Sequence, residues 1–344
     1  MFGTLRQLFS TKKRTEQSVN AAQEESPREV ALEGNPPFPL RDHLSFYNGL
    51  PFLDWEAARP WIDASSSDAL QGQAWNACER AWLLHMRDAL GDTFRLDELG
   101  DAALVSSLEP RLAQATLEFM QRTSRRIAKV LDGITEVQEW GKDILIVFDD
   151  QDSYYNYVSH YYQEDGEYSL SGGMCLVRDC VHFVIVKDEL HSIEPVIAHE
   201  MTHGMLTHLS LPLWLDEGLA VNTEQRICPK RLDYHRLNEF KIKRAQFWGE
   251  NEIQEFWSGD SFSRPDEGNE LSYDLARMMV EQMAQDWDSF RQFVLAAEAT
   301  DAGAKAAQAY LHIDLGDFVT SLLDRPASDA WVPNPEKWRK INSA

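Results

Sequence analysis

His199-Glu200-Met201-Thr202-His203 sets two imidazoles four residues apart, with a carboxylate directly after the first. On an α-helix, residues i and i+4 share a face, with Cβ atoms about 5–6 Å apart. Two imidazoles placed this way can share one tetrahedral divalent metal, each nitrogen about 2.0–2.1 Å from it. Glu200 can turn its carboxylate toward a water held by that metal. Such a site needs a third protein ligand and one open position. Glu217, in Trp214-Leu215-Asp216-Glu217-Gly218-Leu219-Ala220, is the candidate. Leu209, Ser210, Leu211 and Pro212 read as a turn that lets a second helix run back alongside the first. Glu224 lies two turns beyond Glu217 on the same face. Its carboxylate can accept the free N–H of a ligating histidine and fix the tautomer. Asp216 is an alternative acceptor, displaced by about 100° around the helix.

The elements that must position these groups follow from pattern. The His199 segment sits in an apolar helical context, Pro195-Val196-Ile197-Ala198 before it and Met205-Leu206 after it. Asp143 to Phe148 is a short apolar run rich in β-branched residues, which predicts a strand. Ser153 to Tyr162, with its row of tyrosines, predicts a helix whose rings serve packing. Residues 172–177 and 180–186 predict two strands joined by a tight turn at Arg178-Asp179, in a register that places Val177 opposite Cys180 and Cys175 opposite His182. Residues 40–140 read as helical, including a segment from Pro110 to Gly133, since proline suits a first turn and glycine an end. Further helices are expected near 193–209, 213–227, 231–248, 270–285, 287–298, 302–311 and 314–324. His182, His191 and His208 lack partners at ligand spacing and read as structural or solvated. No phosphate-binding glycine loop and no G-x-S-x-G elbow occurs.

The stretch from Gly172 to Glu224 resembles the gluzincin metallopeptidases, the peptidase-MA-like group that includes the zinc aminopeptidases. The motifs that carry the resemblance are Ile197-Ala198-His199-Glu200-Met201-Thr202-His203 and Trp214-Leu215-Asp216-Glu217-Gly218-Leu219-Ala220. It implies Zn²⁺ held by His199, His203 and Glu217, with Glu200 as general base and a peptide or protein as substrate. The zinc aminopeptidases carry G-x-M-E-N on an edge strand before the zinc helix, where the backbone pairs with substrate and the glutamate binds its free amine. Here Gly172-Gly173-Met174-Cys175-Leu176 stands in that place. The first glycine and the methionine match, whereas Cys175 replaces the glutamate. The resemblance thus implies strand-type peptide binding without selection of a terminal ammonium, and a glycine-rich turn is the competing reading. Tyr273, in Leu271-Ser272-Tyr273-Asp274-Leu275-Ala276, matches a tyrosine that stabilises the oxyanion in similar proteins, and reads equally as a core aromatic.

The expected fold class is α+β. A zincin-like catalytic domain with a small mixed sheet and a zinc-binding helix spans 107–325, followed within it by a helical subdomain. A helical N-terminal region covers 38–106, with a flexible tail at 1–37 and an irregular tail at 326–344. The rival functions are a zinc-binding peptide-binding or regulatory protein without turnover, and a metal-free helical scaffold. The chain has 344 residues, 33 Lys plus Arg against 56 Asp plus Glu, and a formal charge of −23. That balance excludes sequence-independent nucleic-acid binding, which needs cationic surface, and disfavours docking on anionic lipid. The four cysteines (Cys78, Cys175, Cys180, Cys228) form no C-x-x-C pair and read as reduced thiols, giving a cytoplasmic expectation. The N-terminus places Lys12, Lys13 and Arg14 after its few apolar residues, the reverse of a secretory signal. A short amphipathic anchor around Phe2, Leu5, Leu8 and Phe9 is the competing reading to a frayed tail.

Overall fold

The computed structural model describes residues 24–136, 140–162, 172–178, 180–229 and 234–338. In chain order its main elements are β1 (Leu44–Tyr47), β2 (Leu50–Leu53), α1 (Trp55–Asp63), α2 (Asp68–Leu90), β3 (Arg95–Leu99), β4 (Ala102–Ser106), α3 (Pro110–Val130), β5 (Asp143–Phe148) and α4 (Gln151–Val158). They continue with β6 (Gly173–Leu176), β7 (His182–Val186), α5 (Leu190–Gly204), α6 (Leu213–Ile227), α7 (Tyr234–Phe247), α8 (Glu252–Ser258), α9 (Glu267–Met283) and α10 (Trp287–Ala296). A further helix, Leu315–Leu322, and a short one at Pro335–Trp338 follow. The chain is thus mixed α+β, as its sequence pattern indicates.

A five-stranded sheet in the order β3-β4-β5-β7-β6 divides the interior into two cores. β4, β5 and β7 run parallel, and β3 and β6 are antiparallel edge strands. The parallel strands are buried on both faces, as crossover topology requires. Their side chains alternate between the cores. Leu104, Leu145, Val147, Phe183 and Ile185 join α3, α5, α6 and α9 on one side. Val105, Ile144, Ile146, Phe148 and Val184 join β2, α1, α2 and α4 on the other. Helix starts follow local chemistry. Asp54, Asp150, Asp266 and Asp286 accept backbone N–H groups at the heads of α1, α4, α9 and α10, each such cap contributing about 1 kcal/mol. Pro110 opens α3, where its missing N–H costs no helical bond.

Several expectations need correction. The region 38–106 is not wholly helical, since it contains β1 to β4. β3 and β4 complete the sheet, which is therefore larger than the sequence reading expects. Segment 24–37 is docked, in contrast to the tail expected there. Val30 and Phe38 form a bridge and are buried, and Arg80 holds Glu24 through two 2.7 Å contacts. The β6–β7 register is shifted by one, with Cys175 opposite Phe183 and Leu176 opposite His182, and residues 177–181 separate the two strands in place of the two-residue turn expected. Segment 326–338, expected to be irregular, holds a 3-10 turn at Asp329–Trp331 and a short helix at Pro335–Trp338, and it is anchored, because the Gln254 amide bonds Ala330 O, Val332 O and Asn334 N and Trp331 is buried. The expectations for 1–23, for the start of the helix near 231, for Asp179 and for 339–344 lie outside the described residues. None of the four cysteines forms a disulfide. Among the described residues no helix is long and apolar enough to cross a membrane.

Glu79 links α2 to the sheet from within the second core. Its carboxylate accepts from Trp75 Nε1 at 2.6 Å, Lys142 N at 3.2 Å and Cys180 Sγ at 3.5 Å. Burial nevertheless pushes its pKa from the ordinary value near 4.5 up to about 7. The folded state therefore keeps a proton that the unfolded chain releases. The cost of burying the charge is absent below the unfolded value, grows as pH rises, and is complete above about pH 7, at roughly 3 kcal/mol. Urea unfolding at pH 5 and pH 8 should show stability falling with pH, and Glu79→Gln should flatten that fall. An identical pH slope in the variant would refute the assignment.

Candidate metal centre

α5 and α6 pack against each other and α6 packs against α9, so three helices converge at one end of the first core. Two close approaches set their spacing. A Cβ at Gly218 would lie 2.7 Å from Ala276 O and 2.6 Å from Val280, so only glycine lets α6 meet α9 at this distance. A Cβ at Gly173 would lie 2.6 Å from Val196, so β6 sits flush against α5. The chain leaves α5 through Leu209 to Pro212, and α6 starts at Leu213, in agreement with the turn read from those residues.

The three proposed donors meet. His199 Nε2 lies 3.1 Å from His203 Nε2 and 3.2 Å from Glu217 Oε2, and His203 Nε2 lies 3.5 Å from the same Glu217 oxygen. Two ligand atoms on a tetrahedral ion, each about 2.0–2.1 Å from it, stand about 3.3 Å apart. The observed triangle has that edge length. Among the described residues this is the group of three or more His, Cys, Asp or Glu side chains whose donor atoms come within 4.8 Å of one another.

Each histidine is held from behind by its own carboxylate. His203 Nδ1 donates to Asp216 Oδ2 at 2.9 Å, and His199 Nδ1 lies 3.5 Å from Glu224 Oε2. Both rings thereby direct Nε2 toward Glu217. Asp216 and Glu224 are thus not alternatives. The two histidines sit one turn apart on α5, so acceptors at two different angles around α6 serve one ring each. Tyr273, on α9, points its hydroxyl at Glu217 Oε1 at 3.5 Å while its ring packs edge-on to Phe262. Its ring is thus packed as a core aromatic, with the hydroxyl turned to the cluster. Cys175 and Gly173 lie on the β6 face toward α5, Met174 on the opposite face, and Gly172 in a bend before the strand. One contact was not legible in the sequence. The Cys175 backbone N–H lies near enough to the Glu200 carboxylate to favour its charged form slightly, against the burial that raises its pKa. No spacing rule signals it, because it depends on how β6 docks on α5.

The electrostatics favour a cation. Four carboxylates (Glu200, Asp216, Glu217, Glu224) surround two imidazoles in a largely buried pocket. For His199, burial opposes protonation, but Glu217 and Glu224 outweigh it and raise the pKa to about 9. For His203, burial again opposes, and Asp216 and Glu217 raise the pKa well above its ordinary value. Burial would raise Glu217, yet His203 and His199 hold it far below the usual carboxylate range. Burial dominates at Glu200 and raises it. His182, by contrast, is a satisfied core residue, pushed down to about 4 by burial, with Tyr157 OH on Nε2 and Cys180 O on Nδ1, both at 2.7 Å.

Neither a protein-family model nor a curated protein matches this chain.

The donor set fits a divalent ion of borderline softness, since two imidazoles and a carboxylate suit zinc. A metal must displace the protons that the pocket holds on its histidines. Zinc added to metal-free protein at pH 7 should therefore release at least one proton per ion, and affinity should rise from pH 6 to pH 9. Calorimetry in two buffers of different ionisation enthalpy reads the protons. Binding that is equally tight across this range would contradict the site.

Proposed function

We propose that this chain is a zinc-dependent peptide-bond hydrolase of the gluzincin type. Its α5 helix against a mixed sheet, backed by α6 and α9, supports a zincin-like catalytic domain. The observation that carries the reading is the triangle of donor atoms 3.1 to 3.5 Å apart from His199, His203 and Glu217, with each imidazole backed by its own carboxylate.

His199, His203 and Glu217 would hold the ion, and Glu224 and Asp216 would keep both rings in the ligating tautomer. When bound, Zn²⁺ supplies Lewis acidity, which makes water nucleophilic near neutral pH and polarises a carbonyl. Glu200 takes the proton of the attacking water and passes it to the leaving amine. Its raised pKa suits a group that must both accept and return a proton. The Tyr273 phenol, kept protonated by burial and by Glu217, donates toward the oxygen on which negative charge develops. Edge strand β6 aligns an extended peptide as an added strand.

The substrate's free amine finds no charge at position 175. Burial raises the Cys175 pKa above that of an ordinary thiol, so its side chain is neutral. This supports cleavage of internal bonds over removal of N-terminal residues.

Glu200→Gln should keep its zinc, measured by elemental analysis, and lose about 10²- to 10⁴-fold in turnover on a peptide library. Full hydrolysis by the variant would eliminate Glu200 as the base. A second experiment separates exo- from endo-cleavage. N-acetylated peptides should be cut at least as fast as their free-amine counterparts, and a strict need for a free N-terminus would overturn that specificity.

A further inference from the structure

The metal cluster lies on one face of the sheet. The opposite face holds a cavity of about 80 Å³, several times the ~10–15 Å³ that one water needs. Its wall is mainly aromatic. Phe52, Trp55, Trp82, His160 and Tyr161 line it, together with the exposed Asp54. The rings enclose it at different angles. Trp55 and Trp82 are 6.4 Å apart at 78°, Phe52 and Tyr161 are 5.8 Å apart at 67°, and Phe52 stacks on His160 at 3.7 Å.

The polar groups of the wall are largely committed elsewhere. Trp82 Nε1 donates to Pro51 O at 2.9 Å, so that indole offers the cavity only its π system. His182, also in the wall, has both ring nitrogens bonded, to Tyr157 OH and Cys180 O. Asp54 Oδ1 caps α1 by accepting from Ala57 N at 3.0 Å, which fixes the carboxylate in place. Among the described residues no Lys or Arg lines the cavity. The wall therefore offers aromatic rings and one acidic side chain, and among the described residues no lysine or arginine opposes a cationic guest. Ring faces attract cations, tryptophan most strongly, and more so where water is excluded. The same ring cluster already does this at its outer edge. Arg59 sits 4.8 Å over the Trp75 ring, and Trp75 stacks on Trp55 at 4.6 Å.

We propose that this cavity is a binding site for an alkylammonium group, such as a methylated amine head or the end of a methylated lysine side chain. The ring faces enclose the methyl groups and Asp54 supplies the counter-charge. The site is separate from the metal cluster, so its test does not depend on hydrolysis.

The probe is tetramethylammonium chloride, titrated into the full chain at constant ionic strength and followed by tryptophan fluorescence and calorimetry. Saturable binding is expected, roughly tenfold tighter than that of uncharged tert-butanol. Asp54→Asn keeps an oxygen to cap α1, so it should fold normally and bind the probe several-fold more weakly. Trp55→Leu, where circular dichroism shows it folded, should abolish the fluorescence response. If it does not fold, Asp54→Asn decides. Absence of saturation, equal affinity for tert-butanol, or unchanged affinity in Asp54→Asn would each overturn the proposal.

Discussion

Crowding of like charge at the junction of α5 and α6 is the constraint around which this structure is built. Two unit charges 4 Å apart interact by about 4 kcal/mol at an effective dielectric near 20, and four carboxylates share this pocket. They are tolerable only with positive charge among them. Without a metal, protons on His199 and His203 supply it, which is why both imidazoles titrate far above their ordinary range. One divalent ion replacing two protons leaves the total charge unchanged. The pocket's charge would thus balance in both states, and exchange between them would be governed by pH. The tight α6–α9 contact at Gly218 holds Glu217 in place against its charged neighbours.

The clustering of His199, His203 and Glu217 was more legible in the sequence than the fold that carries it. The spacing of His199 and His203 and the turn before Trp214 are local facts, and local periodicity reports them faithfully. Asp216 was undervalued because a single helical angle was weighed against a single target, whereas α5 presents two rings at two heights. β3 and β4 escaped for a different reason. Arg95 to Leu99 is a charged edge strand without apolar alternation, and Ala102 to Ser106 is small and buried on both faces, so tertiary context decides both. The hairpin of β1 and β2 did leave a signal, Asn48-Gly49 between two apolar runs. Both residues adopt the positive φ that such a turn requires. The β6–β7 slip by one residue shows how little a short connection fixes register when both strands are apolar on both faces.

The sheet also explains why two unrelated environments coexist in one chain. Strands β4, β5 and β7 carry aliphatic side chains on both faces, so each face can be covered by a separate layer. The helical layer of α3, α5, α6 and α9 collects acids and imidazoles. The layer of β2, α1, α2 and α4 collects aromatic rings. Glu79 and His182 are the polar groups that tie the second layer to the sheet, and burial drives both toward their neutral forms.

Edge strand β6 joins the sheet to the proposed chemistry. In an antiparallel ladder, backbone groups alternate between facing the partner strand and facing away. Gly173 and Cys175 share the face of β6 that lies toward α5 and Glu200. A peptide added along this edge would therefore run beside the carboxylate proposed as the base. Had the register been the one expected from sequence, the β6 backbone groups offered to such a peptide would shift by one residue.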